Sequence, residues 1–254
     1  MSRRLLLGGR AALLVAAALL LTAGIFSCSR GPIGEVTGPG DMPTFPCKFQ
    51  ADFIQTVVKG GVSAPVMTGT TYSNCELNRM ETRMEQPGAP AFTMIIITRP
   101  DLGVTWQLFP RSMKYVERSI KPAAEAPEGP PPVINPKDIK IETEKLGEET
   151  VNGHPCIKWK VTMTMPDAKT LTYYSWGAQD LDNFEIKKEF QNVPGESLVF
   201  EYDNVVLGDP DKSVFDIPAG YTKAQESEMN ALMMAEMGIS IPYGIPMPPS
   251  SGNQ

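Results

Sequence analysis

Short apolar runs that end at turn residues recur along this chain at intervals of about ten residues, and that recurrence restricts the fold more than any other feature. Ala91-Phe-Thr-Met-Ile-Ile-Ile-Thr98 is rich in branched side chains and lies between Pro90 and Pro100. Val104–Phe109 follows the turn Asp101-Leu-Gly103, and Lys114–Ile120 comes next. Upstream, Lys48–Val58 reads as a strand, Lys59-Gly-Gly61 as a turn and Val66–Tyr72 as the returning strand, with Cys75–Glu85 after it. Downstream, Ile139–Thr143, Lys145–Gly153, Cys156–Met163, Thr170–Trp176, Glu185–Gln191 and Ser197–Tyr202 continue the pattern. Asn152-Gly153 is a strong two-residue hairpin signal, because both residues accept the positive φ of a tight turn. Such a chain folds as a meandering antiparallel sheet. The proline-rich stretch Pro122–Pro136 favours extended, solvated backbone and reads as an insert in that sheet.

The N-terminus carries different information. Arg3, Arg4 and Arg10 precede or begin the uncharged run Ala11–Phe26. That run of 16 residues is shorter than the roughly 20 needed to span a bilayer as a helix. A positive start, a short apolar core and the small Ser27 have the layout of a secretory signal peptide covering residues 1–27. Ile25-Phe-Ser-Cys28 resembles the lipobox of bacterial lipoproteins, which implies acylation of Cys28 by palmitate-type chains. A Gly/Pro-rich stretch follows, so residues 28–45 read as a lipid anchor and flexible tether. Two or three acyl chains would hold such a protein firmly at a membrane. Ser29 is not the aspartate associated with inner-membrane retention, which directs the expectation toward the outer membrane, facing the periplasm.

Residues 1–27 contain three basic residues and no acid, so the remainder has 20 basic against 29 acidic residues, a net charge of −9. That balance excludes nucleic acid as a partner, since such binding depends on Lys and Arg neutralising phosphates. Four cysteines in an exported chain invite disulfides. With Cys28 acylated, Cys47, Cys75 and Cys156 remain. If the first hairpin closes near Gly60 and Gly61, paired positions sum to 121–123, which sets Cys47 opposite Cys75. Pairing of Cys156 with either one, or three free thiols, are the alternatives.

Candidate chemistry is sparse. His154, the sole histidine, lies in a turn with no second imidazole for a zinc site or an acid–base pair. No phosphate-binding glycine loop or nucleophile elbow is present. Asp180-Leu-Asp182 and Asp209-Pro-Asp211 space acids as calcium loops do, without the rest of that pattern, and read as turns. Lys223–Met237 is rich in helix formers and aligns Met229, Leu232, Met233 and Met237 on one stripe. Such a helix would cover apolar surface as a lid; alternatively the thioethers of Met229, Met233, Met234 and Met237 would suit Cu(I). The tail from Ile239 to Gln254 has a composition that favours extended chain.

Trp106-Gln-Leu-Phe-Pro-Arg111 with Lys114-Tyr115, Leu146-Gly-Glu-Glu-Thr-Val-Asn-Gly153 with Cys156, Tyr174-Ser-Trp176, and Ser213-Val-Phe-Asp-Ile-Pro-Ala-Gly-Tyr221 occur in an order that carries a family resemblance. The chain resembles uncharacterised bacterial exported lipoproteins related to the LolA/LolB-like fold of the periplasmic lipoprotein carrier and its receptor, over residues 47–224. The resemblance implies a curved, incompletely closed antiparallel half-barrel over residues 46–224, followed by a Met-rich helix and Pro-rich tail at 225–254. It also implies an inner cleft for acyl chains. Phe53, Met94, Ile96, Trp106, Leu108, Trp159, Val161 and Phe200 are the expected lining. The resulting expectation is a non-enzymatic, lipid-anchored envelope protein that handles a hydrophobic ligand or a lipoprotein, with no cofactor and no resident metal. A structural or interaction module with a self-filled core is the alternative, and soft-metal binding through the Met-rich segment is the third.

Overall fold

The computed structural model describes residues 36–37, 43, 46–85, 90–120, 138–193 and 195–238. The expected signal peptide, Cys28, the proline-rich insert at 122–136 and the tail from Ile239 lie outside these residues. Among the described residues, thirteen strands form one open sheet. In chain order they are β1 (Val36–Thr37), β2 (Lys48–Lys59), β3 (Val62–Asn74), β4 (Asn78–Met84), β5 (Phe92–Arg99), β6 (Val104–Phe109) and β7 (Lys114–Ser119). After the insert come β8 (Lys140–Val151), β9 (His154–Thr164), β10 (Thr170–Ala178), β11 (Phe184–Val193), β12 (Glu196–Leu207) and β13 (Thr222–Ala224). A short helix, α1 (Met229–Glu236), follows.

The spatial order is β1-β8-β9-β10-β11-β12-β2-β3-β4-β5-β6-β7-β13. Two meanders, β2 to β7 and β8 to β12, therefore join side by side where β12 pairs with β2. Every internal pair is antiparallel; only the outermost strands, β1 on β8 and β13 on β7, run parallel. The sheet is unclosed, with β1 and β13 at its two ends, in keeping with the expected incompletely closed antiparallel half-barrel.

The turns follow from their residues. Gly60 and Gly61 take φ of +57° and +79°, and Asn152 and Gly153 take +49° and +85°, so both hairpins close at positions that tolerate left-handed backbone. With the first hairpin closed there, Lys48 faces Asn74 and Cys47 is brought to Cys75, to which it is disulfide-bonded. Cys156 is free and buried.

Successive side chains of a strand point to opposite faces, so the ladder assigns a face to each residue. On the inner face Phe53 lies beside Gly69, which lies beside Thr82 and then Met94. Gly69 is needed there: a Cβ would come within 2.8 Å of the Phe53 ring and collide with the Glu81 carbonyl. On the outer face Ile97 faces Trp106 and Ile95 faces Leu108. The segment from Lys212 to Tyr221 packs over that surface through Phe215, fully buried, with Val214, Ile217 and Tyr221 around it. Arg79 and Arg99 anchor the segment, donating from Nη1 to the Val214 and Phe215 carbonyls at 2.8 and 3.3 Å. Strand β5 is thus buried on both faces, which explains its nearly unbroken apolar sequence.

The helix is shorter than its sequence suggests. Helix-forming composition begins at Lys223, yet Thr222–Ala224 pairs as a strand with Lys114–Val116, and a salt bridge from Lys223 to Glu117 holds it at 2.7 Å. The helical path starts only after Gln225, where Gln225 and Glu228 form a reciprocal capping box, with the Gln225 backbone N–H donating to Glu228 at 2.8 Å. Tertiary pairing has overridden local propensity in those first residues.

Candidate functional site

Six of the eight expected lining residues share the inner face, and two do not. Phe53, Met94 and Ile96 lie on it in β2 and β5, and Trp159, Val161 and Phe200 lie on it in β9 and β12. Trp106 and Leu108 are on the opposite face, beneath Phe215. The reason is parity. Trp106 pairs with Ile97 and Leu108 with Ile95, so neither can share a face with Met94 or Ile96. The inner residues of β6 are instead Gln107 and Phe109.

The inner face is strongly aromatic where the two meanders join. Phe49 of β2 meets Phe184 of β11 edge-on at 5.2 Å between ring centroids, across the intervening β12. Phe184 also meets Tyr202 at 5.5 Å, and Phe190 lies between Tyr173 at 5.2 Å and Phe200 at 6.1 Å. Farther along, Ile141, Ile157, Trp159 and Val161 form a buried cluster with Met163 and Tyr173 packed against it.

A polar line crosses this apolar surface. In one row of the ladder Trp159 faces Ser175, Ser175 faces Lys188, Lys188 faces Phe200, and Phe200 faces Gln55. Ser175 Oγ donates to Glu185 Oε1 at 2.5 Å, and Lys188 Nζ lies 2.6 Å from Glu185 Oε2. Lys188 also sits over the Tyr173 ring at 5.1 Å. The irregularity of β10 after Trp176 lets Glu185 join this group. Burial raises the Tyr173 and Tyr202 hydroxyls well above the usual tyrosine range, and the Glu185 carboxylate adds to the effect, so both stay protonated donors. Among the described residues, three buried polar atoms have no protein partner: Gln55 Oε1, Thr143 Oγ1 and Trp159 Nε1. Reading by apolar type selected Trp159 but passed over Gln55, Thr143, Ser175, Glu185 and Lys188; their signal was polarity on the inner face, which needs the register first.

The expected lid residues lie at the far end of the sheet. Met229 and Leu232 are buried against Phe109 and Val116 of β6 and β7, with Met233 packed beside them. The Glu236 carboxylate, 2% exposed, accepts from the backbone N–H groups of Arg111 and Ser112 at 3.2 and 2.9 Å, which pins the helix to the β6–β7 turn. The helix thus covers the β6–β7 end of the inner face. Met237 follows α1 and is partly exposed. Met234 faces solvent whereas Met229 is buried, so the thioethers proposed for copper divide between two faces.

Other candidates are occupied by turn chemistry. Asp180 Oδ2 lies 2.9 Å from His154 Nδ1, Asp211 accepts from the Ser213 backbone at 2.8 Å, and Asp209 pairs with Lys48. Among the described residues no group of three His, Cys, Asp or Glu side chains is placed to hold a metal ion, and no helix is long and apolar enough to cross a membrane. The Cys156 thiol is 1% exposed and donates to the His154 carbonyl at 3.3 Å; burial pushes its pKa up. Since the thiolate is the reactive form, Cys156 should resist iodoacetamide at pH 8 in the folded protein and react fully on unfolding. Rapid alkylation without unfolding would contradict that placement, with the extent read by intact mass.

A model described as a domain of unknown function, DUF4412, matches residues 67–193, half of the 254-residue chain. The chain belongs to the DUF4412 family. The match runs from the middle of β3 to the end of β11, so it includes β8, β9 and β10 with Trp159 and Ser175. No curated protein matches this DUF4412 chain. Among solved structures it is similar to an uncharacterised conserved protein of Thermus thermophilus at 11% identity, over 74% of this chain and 92% of that one, with a TM-score of 0.43. It is similar to a LolA superfamily protein of Nitrosomonas europaea at 14% identity, over 69% and 93% of the two chains, with a TM-score of 0.32. Lipoprotein LppX of Mycobacterium tuberculosis is similar at 14% identity, over 80% and 99%, with a TM-score of 0.28.

Proposed function

We propose that this DUF4412 protein is a non-enzymatic, lipid-anchored protein of the cell envelope that holds a hydrophobic ligand, a lipid or the acyl chain of a lipoprotein, against the inner face of its sheet. One observation carries the reading: the inner face is apolar and aromatic from β9 through β12 to β2, apart from the polar row through Ser175 and Lys188, while the described packing of α1 is on β6, β7 and β13. An unclosed curved sheet with such a face is suited to enclose an acyl chain. Acylation of Cys28 would keep the domain at the membrane from which that chain comes, and the similarity to a LolA superfamily protein and to LppX accords with an envelope role.

The deep burial of Trp159 and Val161, at 1% and 0% exposure, favours the second reading, a structural module whose core is filled by its own side chains. A solvatochromic dye separates the two. Ligand holding predicts a blue shift on mixing dye with the purified domain and its loss when monoacyl lipid is added at micromolar concentration. An unchanged dye spectrum would support the self-filled core and reject the ligand reading.

A further inference from the structure

Two of the residues with an unpartnered polar atom are neighbours in the ladder of the β8–β9 arm of the inner face. Thr143 pairs with Val161 and Lys145 with Trp159 in the ladder, so Thr143 is the diagonal neighbour of Trp159. Diagonal neighbours lie roughly 7–8 Å apart, within reach of a side chain as long as tryptophan. The pairing slips between Lys145 and Gly147, immediately beside this pair. Bulges of that kind re-aim side chains next to binding sites. Trp159 Nε1 can only donate, and the Thr143 hydroxyl can donate or accept. A buried donor left unpaired costs the full desolvation of that group, so both atoms favour an incoming oxygen.

The nearby charges are already matched. Lys188 is 2.6 Å from Glu185, and Lys145 pairs with Glu148 at 3.2 Å. A carboxylate or phosphate head would meet Glu185 without a dedicated countercharge, and an ammonium head would meet Lys188. A neutral carbonyl oxygen meets no such penalty. Around the two polar atoms, Ile141, Ile157, Val161 and Met163 offer apolar packing for the chain attached to that carbonyl.

We infer that Trp159 Nε1 and Thr143 Oγ1 form the polar end of the ligand site and receive the carbonyl oxygen of an uncharged acyl ester. This rests on the ligand-holding reading above and specifies its ligand class. The test compares monooleoylglycerol, its ether analogue without the carbonyl, and oleate, each displacing the solvatochromic dye from the purified domain. The ester should bind about tenfold more tightly than the ether, as one desolvated hydrogen bond would give. Trp159→Phe should bring that ratio close to one, both lipids being read on the same variant so that any change in dye affinity cancels. Thr143→Val should reduce the ratio in the same direction and, because it removes a hydroxyl without a protein partner, should leave the ligand-free Tm unchanged or raised. A lowered Tm would instead mark Thr143 as structural. If dye and lipids bind but ester and ether compete equally, or oleate binds best, the assignment is overturned and the ligand-holding reading survives. If neither dye nor any lipid binds, both fall.

Discussion

Phe215→Ala is expected to destabilise the domain by about 3–5 kcal/mol, the range for truncating a fully buried aromatic side chain. Phe215 has no exposed surface and sits on Ile95, Ile97, Trp106 and Leu108. The turn around it is held by Arg79 and Arg99 at the Val214 and Phe215 carbonyls, so the backbone has little freedom to collapse into the space left behind. Denaturant unfolding should show a lower midpoint at unchanged slope. Because Phe215 covers the outer face, the folded fraction should keep its affinity for any inner-face ligand. A loss below about 1 kcal/mol would mean that the segment from Lys212 to Tyr221 is not part of the core.

Removing the Cys47–Cys75 bond is expected to have the second large effect. The bridge closes a loop of 28 residues in separation, for which chain entropy predicts about 3.5 kcal/mol. It ties the start of β2 to the end of β3, where the Cys75 backbone N–H donates to the Cys47 carbonyl at 2.6 Å and Ser73 Oγ donates to it at 2.9 Å. The double variant Cys47→Ala with Cys75→Ala should lose most of that stability, while Cys156→Ala should not mimic it through any lost bridge. Peptide mapping of the non-reduced protein provides the independent check. A peptide joining Cys156 to either partner would refute the assignment.

The disulfide and the fold class were readable in the chain because each depends on local signals. Gly60-Gly61 and Asn152-Gly153 can close tight hairpins, and a closed hairpin fixes every pair along its two strands. The inward side of β5 and β6 was less accessible, although a turn over residues 100–103 joins them. The run from Phe92 to Thr98 is apolar at both parities because both of its faces are covered, so its sequence offers no preferred inner side. Trp106 and Leu108 were assigned to the wrong face for that reason. The covering segment, Ser213–Tyr221, stood out as one of the phrases that carry the family resemblance, but nothing local told that it folds back over β5 and β6. The polar row through Ser175 and Lys188 was hidden for the complementary reason: an inner-facing polar residue looks like an ordinary outer one until the ladder is known.

The strand at one end of the sheet bears on how the domain avoids pairing with its own copies. β8 has twelve residues, and among the described residues β1 pairs with only Ile141 and Glu142. A long exposed strand offers its backbone to any neighbouring chain. Glu142, Glu144, Glu148 and Glu149 run along this strand, and the slip at Lys145–Gly147 breaks its straight course. Two copies approaching side by side would bring like charges together on a surface that cannot lie flat. The glutamates of β8 thus act as fenders, disfavouring the edge-to-edge joining of two open sheets that would lead toward a fibre.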